Sequence, residues 1–128
     1  MPVNREFLAS IGEAFNSRDV DRIVALFHED AIFWLASGPE PVGTTLKGKA
    51  AIRKLLADRF KVIPEMHWAR TDEWMGEGDR AVTQWRVTGK AADGTKLDYQ
   101  GCDLYEFRGD KIAHKDTYWK LVEQRDRL

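Results

Sequence analysis

The sequence predicts an α+β fold. Three segments with helical hydrophobic spacing come first. From Met66 the period changes to two and stays there through four strand-length runs separated by glycine-containing turns. Helices followed by a run of hairpin-connected strands argue for one antiparallel sheet packed against the helices, not a βαβ arrangement.

Residues 5–16 form the first helix, with Phe7, Leu8, Ile11, Ala14 and Phe15 on one stripe and Asn4 as its N-cap. Asn16-Ser17-Arg18 interrupts it. A second, shorter helix is capped by Asp19 and presents Val20, Ile23, Val24 and Phe27. His28-Glu29-Asp30 reads as a turn. The apolar run Ala31–Ala36 suits a short strand buried on both faces. Residues 37–43 hold two prolines and two glycines, so they form a loop over the mouth of whatever the fold encloses. Leu46-Lys47 is a strand stub. The third helix runs from Lys49 to Val62, with Ile52, Leu55, Leu56 and Phe60 inward and Pro64 ending it. Strands are then expected over 66–75, 80–89, 97–107 and 112–121, followed by a charged tail over 122–128.

The 128 residues suit one domain, and 43% hydrophobic with 32% charged residues is ordinary for a globular protein. A formal net charge of −1 gives no reason to expect nucleic acid or an anionic membrane as partner. No apolar run approaches the roughly 20 residues of a membrane span, and the N-terminus lacks a signal-peptide apolar region. Cys102 is the one cysteine; it excludes an internal disulfide and fits a cytoplasmic location. It reads as a small buried hydrophobe.

The last hairpin carries the candidate chemistry. Centring its turn on Gly109-Asp110 pairs Phe107 with Ile112, Tyr105 with His114 and Asp103 with Asp116. All of these, with Tyr118, then share one face. Two facing carboxylates in a partly apolar setting do not both ionise cheaply, so one should exchange a proton near neutral pH. Asp116, Asp103 and His114 are therefore the candidate catalytic residues. A turn at Asp93-Gly94 places Gln84 and Arg86 on the same side, and a turn at Gly78-Asp79 adds His67. Tyr105, Tyr118 and Trp34 complete the expected ligand wall. The same alternation puts Trp68, Trp74, Trp85 and Trp119 on the opposite face, where they should meet a second copy of the chain as a homodimer. Nothing has metal-ligand or phosphate-loop spacing, and no cofactor is expected.

The element order, the turn region Phe27-His28-Glu29-Asp30-Ala31-Ile32, and the closing segment from Asp103 to Ile112 with His114, Asp116 and Tyr118-Trp119 resemble the nuclear transport factor 2-like superfamily, in its SnoaL-like, polyketide cyclase-like branch. The resemblance covers nearly the whole chain. It implies a cone-shaped sheet around three helices, a homodimer, and an acid on the last strands as a general base, where Asp116 stands. It does not single out one activity, because such folds host enzymes and binding modules alike. Ketosteroid-isomerase-like relatives carry an aspartate in the strand after the second helix; Ala31–Ala36 has none, which argues against that mechanism. Two readings follow. One is a cofactor-independent cyclase, isomerase or hydrolase acting by acid–base chemistry on a small hydrophobic carbonyl or polyketide-like molecule. The other is a non-catalytic module that uses the same cavity to bind a ligand or a partner.

Overall fold

The computed structural model describes residues 3–122. Its elements are α1 (Arg5–Ser17), α2 (Val20–Val24), β1 (Phe27–Trp34), β2 (Thr45–Lys47), α3 (Lys49–Val62), β3 (His67–Met75), β4 (Arg80–Lys90), β5 (Lys96–Arg108) and β6 (Lys111–Trp119). The expected α+β architecture is present: the strands form one curved six-stranded sheet in the order β2-β1-β6-β5-β4-β3, open at both edges. β1 runs parallel to β6, and the β3–β6 meander is antiparallel throughout.

Asn4 caps α1 by accepting a bond from the Phe7 backbone N–H at 2.8 Å, and Asp19 caps α2 through the Arg22 N–H at 3.2 Å. α2 ends at Val24, so Phe27 belongs to a strand rather than to that helix. The expected turn at His28–Asp30 also lies inside β1. The reason is long-range pairing: Ile112 N–H bonds to Leu26 O at 2.8 Å and Phe27 sits opposite Ile112, with an irregularity before Ile32 restoring the ladder. Leu35 and Ala36 lie past the strand's end.

The helices cover one face of the sheet. Between them lies a core of Leu8, Ile11, Ala14, Phe15, Ile23, Phe27, Phe33, Ile52, Leu56, Phe107 and Ile112. Phe27 and Phe33 stack at 6.3 Å with almost no exposure; burying each side chain contributes roughly 1.5–3 kcal/mol. Asn16 ties α1 to β3 by bonding both the carbonyl (2.9 Å) and the N–H (2.8 Å) of Trp68. No helix among the described residues is long and apolar enough to cross a membrane.

Three one-residue shifts decide which side chains face the helices. A bulge between Glu106 and Phe107 on the β5 side opposes Ile112 and His114, leaving Ala113 over. The β4–β5 hairpin closes at Lys90 and Lys96, one residue out of the register that a turn centred on Asp93-Gly94 gives. A second bulge at Thr71 changes the phase of β3. Each shift turns every later side chain to the other face.

Candidate functional site

The shifts regroup the candidate residues. Tyr105 lies opposite Lys115, Leu104 opposite Asp116, and Asp103 opposite Thr117. Thr83 and not Gln84 is the β4 partner of Asp103. The inner face of these strands is therefore built from Ala81, Thr83, Trp85 and Val87 on β4, Asp103, Tyr105 and Phe107 on β5, and Lys115 and Thr117 on β6, all of them buried. Of the residues expected on the ligand wall, Asp103 and Tyr105 are there.

The others stand on the outer face, which corrects the single row of acids. Asp116 and Trp34 are cross-strand partners, and His114 packs edge-on against Trp34 at 4.2 Å. Tyr118 is exposed on the same side and hydrogen-bonds Asp116. Gln84 meets Thr71 at 3.2 Å, and Arg86 makes a two-pronged pair with Asp98 at 2.7 and 2.8 Å. His67 is exposed opposite Thr88 on the edge strand. Burial raises the Asp116 carboxyl above its ordinary value, against the Tyr118 hydrogen bond that lowers it. This raised group is separated from Asp103 by the thickness of the sheet, so the two carboxylates do not form a facing pair.

The tryptophan face needs the same correction. Trp85 and Trp119 flank Gly101 on the inner face and meet at 6.4 Å, ring planes perpendicular. Trp68 packs against Phe15 and Phe60. Trp74 alone of the four remains outside, half exposed. Gly101 is what lets the indoles in: a β-carbon there would come within 2.7 Å of the Trp85 ring. Cys102, on the outer side opposite Tyr118, is partly buried, and its thiol is pushed up by burial and by the charges of Asp103 and Asp116. It is thus held as a thiol.

Between α1 and the inner face lies a cavity of about 270 Å³. Leu8, Ile11, Gly12 and Phe15 roof it, Trp68 and Trp85 wall it, and Thr83, Asp103, Tyr105 and Lys115 make its floor. The volume is just under the ~300–1,000 Å³ of ordinary ligand clefts, which suits a small, one-ring molecule. A smaller annex of about 40 Å³ adjoins it, sharing Phe15, Trp68, Trp85 and Lys115 and adding Leu35, Ser37, Arg59, Thr117 and Trp119.

Asp103 organises the floor. Its Oδ1 accepts from Lys115 Nζ at 2.9 Å and from Thr117 Oγ1 at 2.5 Å; its Oδ2 accepts from Trp85 Nε1 at 2.8 Å and, more weakly, from Tyr105 OH at 3.5 Å. Lys115 also donates to Thr117 Oγ1 at 2.9 Å and lies over the Phe33 ring at 4.0 Å. Burial pushes the Lys115 ammonium down, opposed by the Asp103 carboxylate beside it. Tyr105 is held well above the ordinary tyrosine value, by burial first and then by the Asp103 charge. The floor therefore presents a neutral phenol, the Thr83 hydroxyl and the Lys115 amine, with the Asp103 carboxylate already engaged by its donors. Such a group of donors can polarise a carbonyl oxygen.

Lys115, Thr117, Thr83 and Trp85 were not expected at the site. Their strand positions were readable, but their facing depended on the bulge at Ala113 and on the length of the 91–95 loop. Neither carries a distinctive residue signature.

The family model for SnoaL-like domains matches residues 6–115. The chain belongs to the SnoaL-like family. The structure of this SnoaL-like domain is similar to several solved folds. A ketosteroid isomerase-like-fold protein from Catenulispora acidiphila, solved with trimethylamine, superposes with a TM-score of 0.80 at 19% identity over 93% of this chain and 88% of that one. A putative polyketide cyclase from Xanthomonas campestris pv. campestris gives 0.79 at 22% identity, covering 93% and 91%. A cystatin-fold protein from Novosphingobium aromaticivorans gives 0.73 at 28% identity, covering 88% and 94%. No curated protein matches.

Proposed function

We propose that this SnoaL-like domain binds a small, largely apolar carbonyl or polyketide-like molecule in the cavity beneath α1. The observation that carries the reading is the buried Asp103–Lys115 pair at the floor of a chamber whose roof and walls carry Leu8, Ile11, Phe15, Trp68 and Trp85. Ionised groups are costly to bury, and their placement against empty space points to a ligand. The carbonyl oxygen takes its hydrogen bond from Tyr105 or Lys115, and Asp103 fixes the orientation of the donors. In the catalytic form of the proposal, Asp103 takes the proton from the carbon beside the polarised carbonyl and returns it in a cofactor-independent cyclisation or isomerisation, or takes the proton of a water that attacks the carbonyl in a hydrolysis. The non-catalytic form uses the same contacts for binding alone. The similarity to a putative polyketide cyclase agrees with the first form.

Titration with 4-phenylbutan-2-one tests the proposal, followed through the fluorescence of Trp68 and Trp85 on the cavity wall. A saturable change is expected. Gly12 lines the cavity and a β-carbon there meets nothing within 4 Å, so Gly12→Leu should fill the space and abolish the change. Absence of binding, or undiminished binding to Gly12→Leu, overturns the cavity as the site. Protein-accelerated deuterium uptake at the carbon beside the carbonyl, lost in Tyr105→Phe, selects catalysis; binding without uptake selects the binding module.

The outer face supports a second part of the proposal, a homodimer. Trp74, Val82, Leu104, Asp116 and Trp34 are successive cross-strand neighbours from β3 across to β1. Trp74, Leu104 and Tyr118 are 50%, 40% and 55% exposed in the single chain. Such a row is what a second copy would cover. The proposed setting is the cytoplasm, in keeping with the free Cys102.

A further inference from the structure

The annex differs from the main cavity in its charge. Arg59 reaches its wall from α3, beside Leu56, Phe33, Lys115 and Trp119. Arg59 is partly buried; among the described residues no carboxylate offsets the desolvation of its guanidinium, which pushes its pKa down. Its nearest acidic neighbour in sequence, Asp58, is bound to Lys54 at 2.9 Å on the exposed side of the helix. Arg59 also acts on Lys115 as a like charge. Asp103 balances one of these two cations through its bond to Lys115. One positive charge is left over in a confined space.

A neutral donor stands in the same wall. Trp119 Nε1 is buried and has no acceptor among the described residues. The indole is held by an edge contact with Trp85 and by stacking on Tyr99 at 5.0 Å, so the donor is fixed in place. A buried N–H without a partner lowers stability, and a partly desolvated guanidinium without an anion does so as well. Both residues line the annex, where about 40 Å³ of space is open, and one water needs roughly 10–15 Å³.

We infer that the annex is a carboxylate subsite: the ligand of this protein is a small acid whose apolar body lies under α1 and whose carboxylate meets Arg59 and the Trp119 indole N–H. The inference rests on the cavity reading and adds a charge requirement to it. The two spaces adjoin at Phe15, Trp68, Trp85 and Lys115, so one short molecule spans both. Arginine suits the task because its planar fork matches two carboxylate oxygens.

The test compares 3-phenylpropionate with 4-phenylbutan-2-one, nearly equal in shape but differing in charge, by calorimetric titration of the native protein, Arg59→Met and Trp119→Phe. The acid should bind the native protein more tightly than the ketone. Arg59→Met should weaken the acid by about 10–100-fold, the range expected for a charged hydrogen bond, and leave the ketone within about twofold. Trp119→Phe keeps an aromatic ring and should weaken the acid selectively by a smaller factor. Retained ketone affinity shows in the same titration that each variant keeps its cavity. Equal affinity for acid and ketone, or equal loss of both in Arg59→Met, overturns the carboxylate subsite while the cavity reading stands. Failure of both probes to bind the native protein overturns the two together.

Discussion

Lys115 Nζ and Asp103 Oδ1 stand 2.9 Å apart, with side chains only 7% and 6% exposed, on strands whose backbones set Asp103 opposite Thr117 instead. The contact is diagonal across one face of the sheet, the geometry by which long side chains reach a neighbour two residues along. An ammonium and a carboxylate both deep in the protein are stable there only while each has the other.

Removing one partner should therefore be severe. Asp103→Asn is expected to lower unfolding free energy by about 3–5 kcal/mol at neutral pH, because Lys115 loses its counter-charge. The double variant Asp103→Leu with Lys115→Met should recover part of that loss, since apolar residues remove the unpaired charge, while Trp85 Nε1 and Thr117 Oγ1 still lose their acceptor. Urea unfolding of the three proteins measures both effects. A double variant no more stable than Asp103→Asn would contradict this account.

Gly101 sets the position of the Trp85 indole. In Gly101→Ala the new β-carbon would lie 2.4 Å from the Tyr118 carbonyl oxygen and 2.7 Å from the indole ring. Relief requires both to move, at an expected cost of roughly 1–3 kcal/mol. Trp85 Nε1 donates to Asp103, so the same movement should loosen the cavity floor. Thermal unfolding and the near-ultraviolet dichroism of the tryptophans read the two consequences; unchanged stability and an unchanged spectrum would refute them.

Asp116 predicts a pH effect with a definite sign. Burial raises its carboxyl above 3.8 in the folded chain. Between 3.8 and that raised value the native state holds a proton that the unfolded chain has released. The stability contributed by the protonated form is then complete at low pH and is lost as pH rises through this window. Asp116→Asn cannot release a proton and should remove this segment from the stability–pH curve. Denaturant unfolding of both proteins from pH 3 upward checks it, and identical curves would show that Asp116 is not the source.

Leu104, itself exposed, lies mid-way along the outer-face row between Trp74 and Trp34. Leu104→Arg puts a charge into the proposed contact between copies without touching the buried face. Sedimentation velocity should show a dimer for the native protein and a monomer for the variant. A native protein that sediments as a monomer at tens of micromolar would end the dimer proposal.

Much of this molecule is legible along the chain. Asn4 and Asp19 announce helix starts, the 3.6-residue recurrence from Leu8 to Phe15 defines a buried stripe, and Gly109-Asp110 marks the last hairpin. These signals are local: a cap, a helical face or a tight turn depends on residues a few positions apart. They were enough for the α+β class and for the resemblance that the family match bears out. Asp103 and Tyr105 were also placed on the inner face, because the pairing of Phe107 with Ile112 next to the turn is correct.

What lies beyond that hairpin turn was settled by packing over long distances. Ala113 drops out of register so that Ile112 can stay beneath Leu26 and Phe27 while Lys115 reaches Asp103. A strand's side chains alternate with period two, so this single residue exchanges the two faces of β6. It moves Asp116 outward and brings Lys115 and Thr117 inward. The 91–95 loop and the bulge at Thr71 do the same for Trp85 and Trp68. Composition and spacing determined that a hairpin with acids, aromatics and a histidine would close the sheet. Which of those side chains share a cavity was decided by the burial of whole faces, a sum over the entire fold that no short stretch of sequence contains.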